Sequence, residues 1–129
     1  MKNNLNTLFV IPNLNPGGSQ KLIINLINNI KLENKLLFIY KKKLFLKNNI
    51  EKKIKLKFSN SSKIVFSFFE LKSLLKKYQI NCIFSCMRNM NIILGVFAFF
   101  FDKKVKLVFH EPNTLDEFKK PSIKKYLKL

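Results

Sequence analysis

Short apolar runs alternate with longer amphipathic segments along this chain. The first run, TLFVI at residues 7–11, ends at Pro12 and has the composition of a strand buried on both faces. After a polar loop, apolar side chains recur at helical spacing between residues 22 and 30. The pattern therefore predicts a strand, a loop and a helix in this order at the start of the chain.

The same alternation continues along the chain. Four further apolar runs predict strands at residues 35–41, 54–58, 80–85 and 105–109. The run at 54–58 alternates with lysine, which is typical of a more exposed strand at the edge of a sheet. Residues 63–78 predict an amphipathic helix with lysine on its outer face, because their apolar positions follow steps of four and three.

The longest apolar run is IILGVFAFFF at residues 92–101. A helix needs about 20 such residues to cross a bilayer, so the run is too short to be a membrane span. We interpret it as a buried helix, with a segment that lies in the membrane interface as the alternative.

Strands that alternate with helices of this length favour an α/β fold, here a doubly wound, Rossmann-like parallel sheet of about five strands. The 129 residues have the length of one domain. The final segment, PSIKKYLKL, begins another helix whose apolar stripe has little chain left to complete it. We therefore expect a single domain, residues 1–129, that is incomplete at its carboxyl end.

The formal net charge of +18 suggests an anionic partner. Only one of the 25 basic residues is an arginine, so the guanidinium forks that read phosphates and guanine edges are nearly absent. The composition therefore disfavours nucleic acid and leaves an anionic membrane face or a phosphorylated ligand as candidate partners.

Cys82 and Cys86 are the only cysteines. In an extended strand they would stand about 13 Å apart, beyond disulfide reach. A zinc site is not expected either, because the chain has a single histidine. The amino terminus also lacks the continuous apolar core of a secretory signal. The sequence thus predicts reduced, buried thiols in a cytoplasmic protein.

Three polar segments, PNLNPGGS, CMRNMN and HEPNT, each follow a predicted strand. Ligands of open parallel sheets bind beyond the carboxyl ends of the strands, where these segments are expected to lie. In the first, Gly17 and Gly18 precede a predicted helix with Ser19 as its N-cap, and a helix start can bind an anion. The segment matches neither a P-loop nor a dinucleotide fingerprint, and a plain strand-to-helix turn is the alternative.

His110 is the only histidine and follows the fifth predicted strand. Its imidazole could donate a hydrogen bond to a sugar hydroxyl or carry a proton, and a structural role is the alternative. Arg88 lies between Met87 and Asn89 in the second segment. It could contact a phosphate, or it could be a loop residue in water.

The stretch LFVIPNLNPGGSQKLIINLINNI resembles the opening of the amino-terminal domain of family-4 glycosyltransferases, which have the two-domain GT-B architecture. In that family a strand leads through a short loop to a Gly-Gly pair, a small residue, an acidic or amide residue and an amphipathic helix. The stretch VKLVFHEPNT is similar to the family's strand followed by a His and an Asn. The resemblance implies a retaining transfer of a sugar from a nucleotide sugar to a glycan or lipid-linked acceptor, with no cofactor or metal ion required.

Under this resemblance Gly17, Gly18 and Ser19 bind the donor's diphosphate, and His110 is the candidate catalytic residue. Further candidate contacts to acceptor or sugar are Arg88, Asn89, Glu111 and Asn113. The family's carboxy-terminal donor-binding domain has no counterpart in these residues. We therefore expect the acceptor-side part of an enzyme of polysaccharide biosynthesis, incomplete alone, that works with a separate donor-binding chain or is inactive.

Two rival predictions remain. A nucleotide-binding oxidoreductase is disfavoured by the missing dinucleotide fingerprint. A non-catalytic basic module would bind an anionic membrane surface or nucleic acid.

A lipid-linked acceptor would place the protein at the inner membrane face, in peripheral contact with the bilayer.

Overall fold

The computed structural model describes residues 5–41, 43–61, 63 and 66–111. Its strands are β1 (Asn6–Ile11), β2 (Asn34–Ile39), β3 (Lys55–Phe58), β4 (Cys82–Ser85) and β5 (Lys106–Phe109). Its helices are α1 (Gly18–Asn29), α2 (Ser67–Lys77) and α3 (Arg88–Phe97). Short 3₁₀ turns lie at Lys47–Asn49 and Ala98–Phe100.

The five strands form one parallel sheet in the order β3-β2-β1-β4-β5. After β1, the chain adds β2 and then β3 on one side of β1. It then crosses the sheet and adds β4 and β5 on the other side of β1. The direction of building therefore reverses between β1 and β4, which is where doubly wound sheets bind their ligands. The predicted Rossmann-like α/β fold is confirmed, and β3 is an edge strand as its alternating pattern indicated.

Alternate residues of β1 face two separate apolar clusters. Leu8 and Val10 pack with residues of α2 and α3 on one face of the sheet, whereas Phe9 and Ile11 pack with α1 on the other. Helix α1 contributes Ile23, Ile24 and Ile27. Because helices cover both faces of the central strand, its sequence is a continuous apolar run rather than an alternating one.

The apolar run at 92–101 is not a buried helix, so that prediction was wrong for much of the run. It forms the end of α3 and the following 3₁₀ turn, and within it Leu94 and Phe97 are the buried residues. Phe99 and Phe100 expose 87% and 65% of their surface. A single helix layer buries only the stripe that faces the sheet, and Ile92, Val96, Phe99 and Phe100 lie outside that stripe.

Other predicted boundaries need smaller changes. Helix α2 begins at Ser67, later than the predicted start at residue 63. Cys82 and Cys86 are both free and buried, as predicted. The helix predicted near the carboxyl end of the chain lies outside the described residues.

Tyr40 follows β2 and carries its phenol into the core, where 7% of the residue is exposed. Burial raises the pKa of Tyr40 to about 12; a hydrogen bond with Ser67 lowers it and the charge of Glu70 raises it. An unfolded tyrosine ionises near pH 10. The folded state therefore favours the neutral phenol, and the stability that this preference provides below pH 10 is lost as the pH rises from 10 towards 12.

We expect the variant Tyr40→Phe to lose less stability than the parent protein between pH 9 and pH 12. The difference in the free energy of unfolding should reach about 1–3 kcal/mol, since one unit of pKa corresponds to about 1.4 kcal/mol. Urea unfolding at several pH values measures it. Tyr78→Phe is the control, because a hydrogen bond with Lys57 lowers the pKa of Tyr78. An equal alkaline loss in Tyr40→Phe and the parent protein would contradict the expectation.

Candidate functional site

Three chain segments meet at the carboxyl ends of β1, β4 and β5. Residues 12–17 connect β1 to α1, Cys86 and Met87 connect β4 to α3, and His110 and Glu111 follow β5. The backbone N–H of His110 donates to the carbonyl of Ser85 at 2.8 Å, which continues the pairing of β5 with β4. The parallel sheet thus brings the first two predicted polar segments, and the described residues His110 and Glu111 of the third, to one edge.

Helix α1 begins at Gly18, with Gly17 as its N-cap and no side-chain hydrogen bond at the cap. The prediction of Ser19 as the N-cap was wrong, because the extended backbone of Gly17 already makes the turn into the helix. Ser19 lies in the first turn instead. The first N–H groups of a helix have no intrahelical acceptor, and here they lie near the carboxyl end of β1, together with the positive end of the helix dipole.

The two glycines of this loop have different surroundings. A methyl group on Gly17 would overlap the side-chain oxygen of Gln20, which is the far end of a flexible side chain. A methyl group on Gly18 would have no neighbour within 4 Å. Neither residue has a positive φ angle. The fold therefore places no demand for glycine on position 18, and the open space beside it is available to a ligand.

Gln20 is a residue of this site that the sequence analysis did not single out. Its side-chain Nε2 donates to Asn13 Oδ1 at 3.3 Å and lies 3.9 Å from Met87 Sδ. It is a buried polar residue on the face of α1 that also carries Ile23 and Ile27. The sequence signal for Gln20 was its place in the apolar stripe of α1, where a polar residue is unexpected.

Cys86 joins the first and second segments. Its thiol donates to the carbonyl oxygen of Ser19 at 3.4 Å, and the side chain is fully buried. Burial raises the pKa of the Cys86 thiol to about 11. The thiol is therefore protonated near neutral pH, and its role here is packing rather than nucleophilic chemistry.

Charged groups lie farther along the same edge. Arg88 Nε and Glu111 Oε1 are 3.7 Å apart, an ion pair between the start of α3 and the segment after β5. Asn91 Nδ2 donates to the carbonyl of His110 at 3.1 Å. His110 and Asn89 are both exposed. The arrangement offers a guanidinium, an imidazole and amide groups to a ligand; Asn113 lies outside the described residues.

Two cavities lie at the opposite edge of the sheet. One of about 540 Å³ is bordered by residues that precede β2 and β3, and one of about 500 Å³ by residues that precede β4 and β5. In the first, Lys35 Nζ donates to the carbonyls of Ile27 and Ile30 and so completes the carboxyl end of α1. This cavity has a structural explanation, and parallel sheets seldom use this edge for ligands.

In the described ranges, no cluster of three or more His, Cys, Asp or Glu side chains is arranged to hold a metal ion. The helices of those ranges also lack the length and apolar character needed to cross a membrane.

Compared with protein-family models, with curated proteins and with solved structures, the chain gives no match.

Proposed function

We propose that this chain is the acceptor-side domain of a GT-B glycosyltransferase and that the start of α1 binds the diphosphate of a nucleotide sugar. The observation that carries the proposal is Gly18, an exposed glycine at a helix start where the fold itself requires none. It lies where the sheet order reverses. A phosphate there would accept hydrogen bonds from backbone N–H groups and face the positive end of the helix dipole.

The neighbouring segments supply complementary chemistry for such a donor. Arg88 carries a delocalised positive charge suited to phosphate oxygens. His110 and Asn89 are exposed on the same edge and have groups that hydrogen-bond sugar hydroxyls. Under the proposal the sugar is transferred with retention of configuration to a glycan or lipid-linked acceptor, in cooperation with a donor-binding domain.

A dinucleotide-dependent oxidoreductase fits these surroundings less well. Such folds place a carboxylate after the second strand to bind the ribose hydroxyls. Here β2 is followed by Tyr40 and Lys41. An oxidoreductase function would therefore lack both the carboxylate that binds the ribose and the dinucleotide-binding motif.

The test of the proposal is a titration of the full chain with uridine diphosphate, uridine monophosphate and inorganic phosphate, followed by NMR. We expect the amide signals of Gly18 and Ser19 to move most, and the diphosphate to bind more tightly than the monophosphate. Arg88→Gln should weaken diphosphate binding about tenfold, because a hydrogen bond to a charged group contributes roughly 1.5–3 kcal/mol.

Lys47→Gln is the matched control, since Lys47 is an exposed cation in the 3₁₀ turn between β2 and β3. It should bind the diphosphate as the parent protein does. Equal losses in the two variants would reduce the interaction to general charge attraction, and unchanged amide signals at the start of α1 would overturn the proposal.

A further inference from the structure

The outer surface of α2 and α3 carries a group of exposed apolar side chains, which we call the phenylalanine patch. Its members, with their exposed fractions, are Phe69 (71%), Ile92 (54%), Val96 (56%), Phe99 (87%) and Phe100 (65%). Ile92 and Val96 lie one helical turn apart on α3, and Phe99 and Phe100 lie in the 3₁₀ turn that follows it. An apolar group of this kind on a charged protein marks an interaction surface.

A rigid aromatic base supports the patch. The ring of Phe68 lies 5.4 Å from Phe69 and 5.7 Å from Phe100, measured between centroids. The same ring packs against Phe97 at 5.1 Å and stacks on Phe101 at 5.9 Å. The exposed rings of Phe69 and Phe100 therefore belong to one aromatic cluster with Phe68, Phe97 and Phe101.

Lysines lie beside the aromatic cluster. Lys72 and Lys76 are exposed on α2, and Lys103 and Lys104 are exposed after the 3₁₀ turn. Lys72 Nζ lies 5.8 Å from the centre of the Phe68 ring, so this cation borders the aromatic cluster directly. Asp102 is an acidic residue in the same region. The surface thus combines protruding apolar groups with a cationic rim.

We propose that the phenylalanine patch docks this protein on the surface of an anionic lipid bilayer. The phenyl rings enter the boundary between headgroups and acyl chains, while the lysines bind anionic headgroups. The chain lies on the membrane in this arrangement and does not cross it. The proposal needs no sugar nucleotide and does not depend on the proposed function.

The composition of the surface favours a bilayer over two other occupants. A second copy of the chain would bring two like-charged lysine rims together, each on a protein of net charge +18. Single-stranded RNA would use aromatic rings for stacking, but Ile92 and Val96 offer no stacking surface. The one arginine, Arg88, is at the opposite end of α3 and pairs with Glu111.

The test is flotation of the full chain with vesicles of phosphatidylcholine, with and without phosphatidylglycerol. We expect binding to the anionic vesicles that weakens as sodium chloride rises from about 50 to 500 mM. The triple variant Phe69→Ser, Phe99→Ser, Phe100→Ser should lower the partition coefficient at least about tenfold. Phe45→Ser is the control, because Phe45 is 74% exposed on the loop between β2 and β3.

A second set of variants separates local from general charge. Lys72→Glu, Lys103→Glu and Lys104→Glu together should weaken binding at least about tenfold. The control variant is Lys21→Glu, Lys31→Glu, Lys47→Glu. It has the same change of charge, on the face of the sheet that α1 covers. Circular dichroism and thermal unfolding verify that each variant is folded.

Three outcomes would overturn the proposal. One is equal vesicle binding by the serine triple variant and the parent protein. Another is an equal loss from both lysine sets, which would indicate attraction without a defined surface. The third is a patch-dependent dimer, or patch-dependent binding to oligouridine, in a protein that does not float with anionic vesicles.

Discussion

Replacing Gly18 by aspartate should weaken diphosphate binding strongly while leaving the domain folded. An aspartate in the first turn of a helix interacts favourably with the helix dipole by about 0.3–1 kcal/mol. The new Cβ would meet no atom within 4 Å, so the substitution costs no packing. The free energy of unfolding should therefore stay the same or rise slightly.

Diphosphate binding responds in the opposite direction. In the proposed complex the phosphate occupies the open space beside Gly18, and the carboxylate would both fill that space and repel the ligand. We expect affinity for uridine diphosphate to fall roughly 10- to 100-fold, which corresponds to about 1.4–2.8 kcal/mol. Calorimetric titration measures the affinity, and urea unfolding measures the stability of the same preparation.

A pair of alanine variants isolates the effect of position. Gly18→Ala and Gly95→Ala both replace a helical glycine, and Gly95 has only an ordinary contact with Phe109, at 3.9 Å. Both should gain up to about 1 kcal/mol of stability, because alanine favours helix more than glycine does. Only Gly18→Ala should bind the diphosphate more weakly. If Gly18→Asp binds like the parent protein, the ligand does not approach α1 and the proposed function is wrong.

The strands were the most predictable part of this fold. A strand buried on both faces requires an unbroken apolar run, and the runs at 7–11 and 35–41 met that requirement at β1 and β2. The edge position of β3 followed from its alternation with lysine. Because parallel strands share one carboxyl edge, the sequence also placed its three polar segments on the same side of the sheet.

Burial within α3 could not be predicted in the same way. The run IILGVFAFFF is apolar on every side, so its periodicity does not reveal which stripe contacts the sheet. The structure shows that α3 is covered on one side only, which leaves Val96 and Phe99 in solvent. An apolar run thus shows that a helix can be buried, whereas the elements that pack against the helix determine which of its residues are buried.

Two details of the site differ from what the sequence predicted or were not predicted from it. Serine is a common N-cap residue, but the N-cap of α1 is Gly17, two residues before Ser19. The contact of Gln20 with Met87 forms because the sheet brings the segment after β4 beside α1. No local pattern encodes a contact between residues that are 67 positions apart.

Truncation of Phe38 to alanine should remove a large part of the stability of the domain. Phe38 is 1% exposed in β2, and its ring meets that of Tyr40 edge to face at 5.1 Å. Loss of a buried phenyl ring costs about 3–5 kcal/mol, through lost transfer free energy and the cavity that remains. Domains of this size are stable by roughly 5–15 kcal/mol, so Phe38→Ala should be partly unfolded at moderate temperature.

Urea unfolding at neutral pH measures the loss, with Phe45→Ala as the matched control. Phe45 is 74% exposed, and its truncation should change the free energy of unfolding by no more than about 0.5 kcal/mol. A loss below about 1 kcal/mol in Phe38→Ala would mean that β2 does not face a packed core. Helix α2 would then lose its support as well, because Leu71 and Leu75 belong to the same apolar cluster as Phe38.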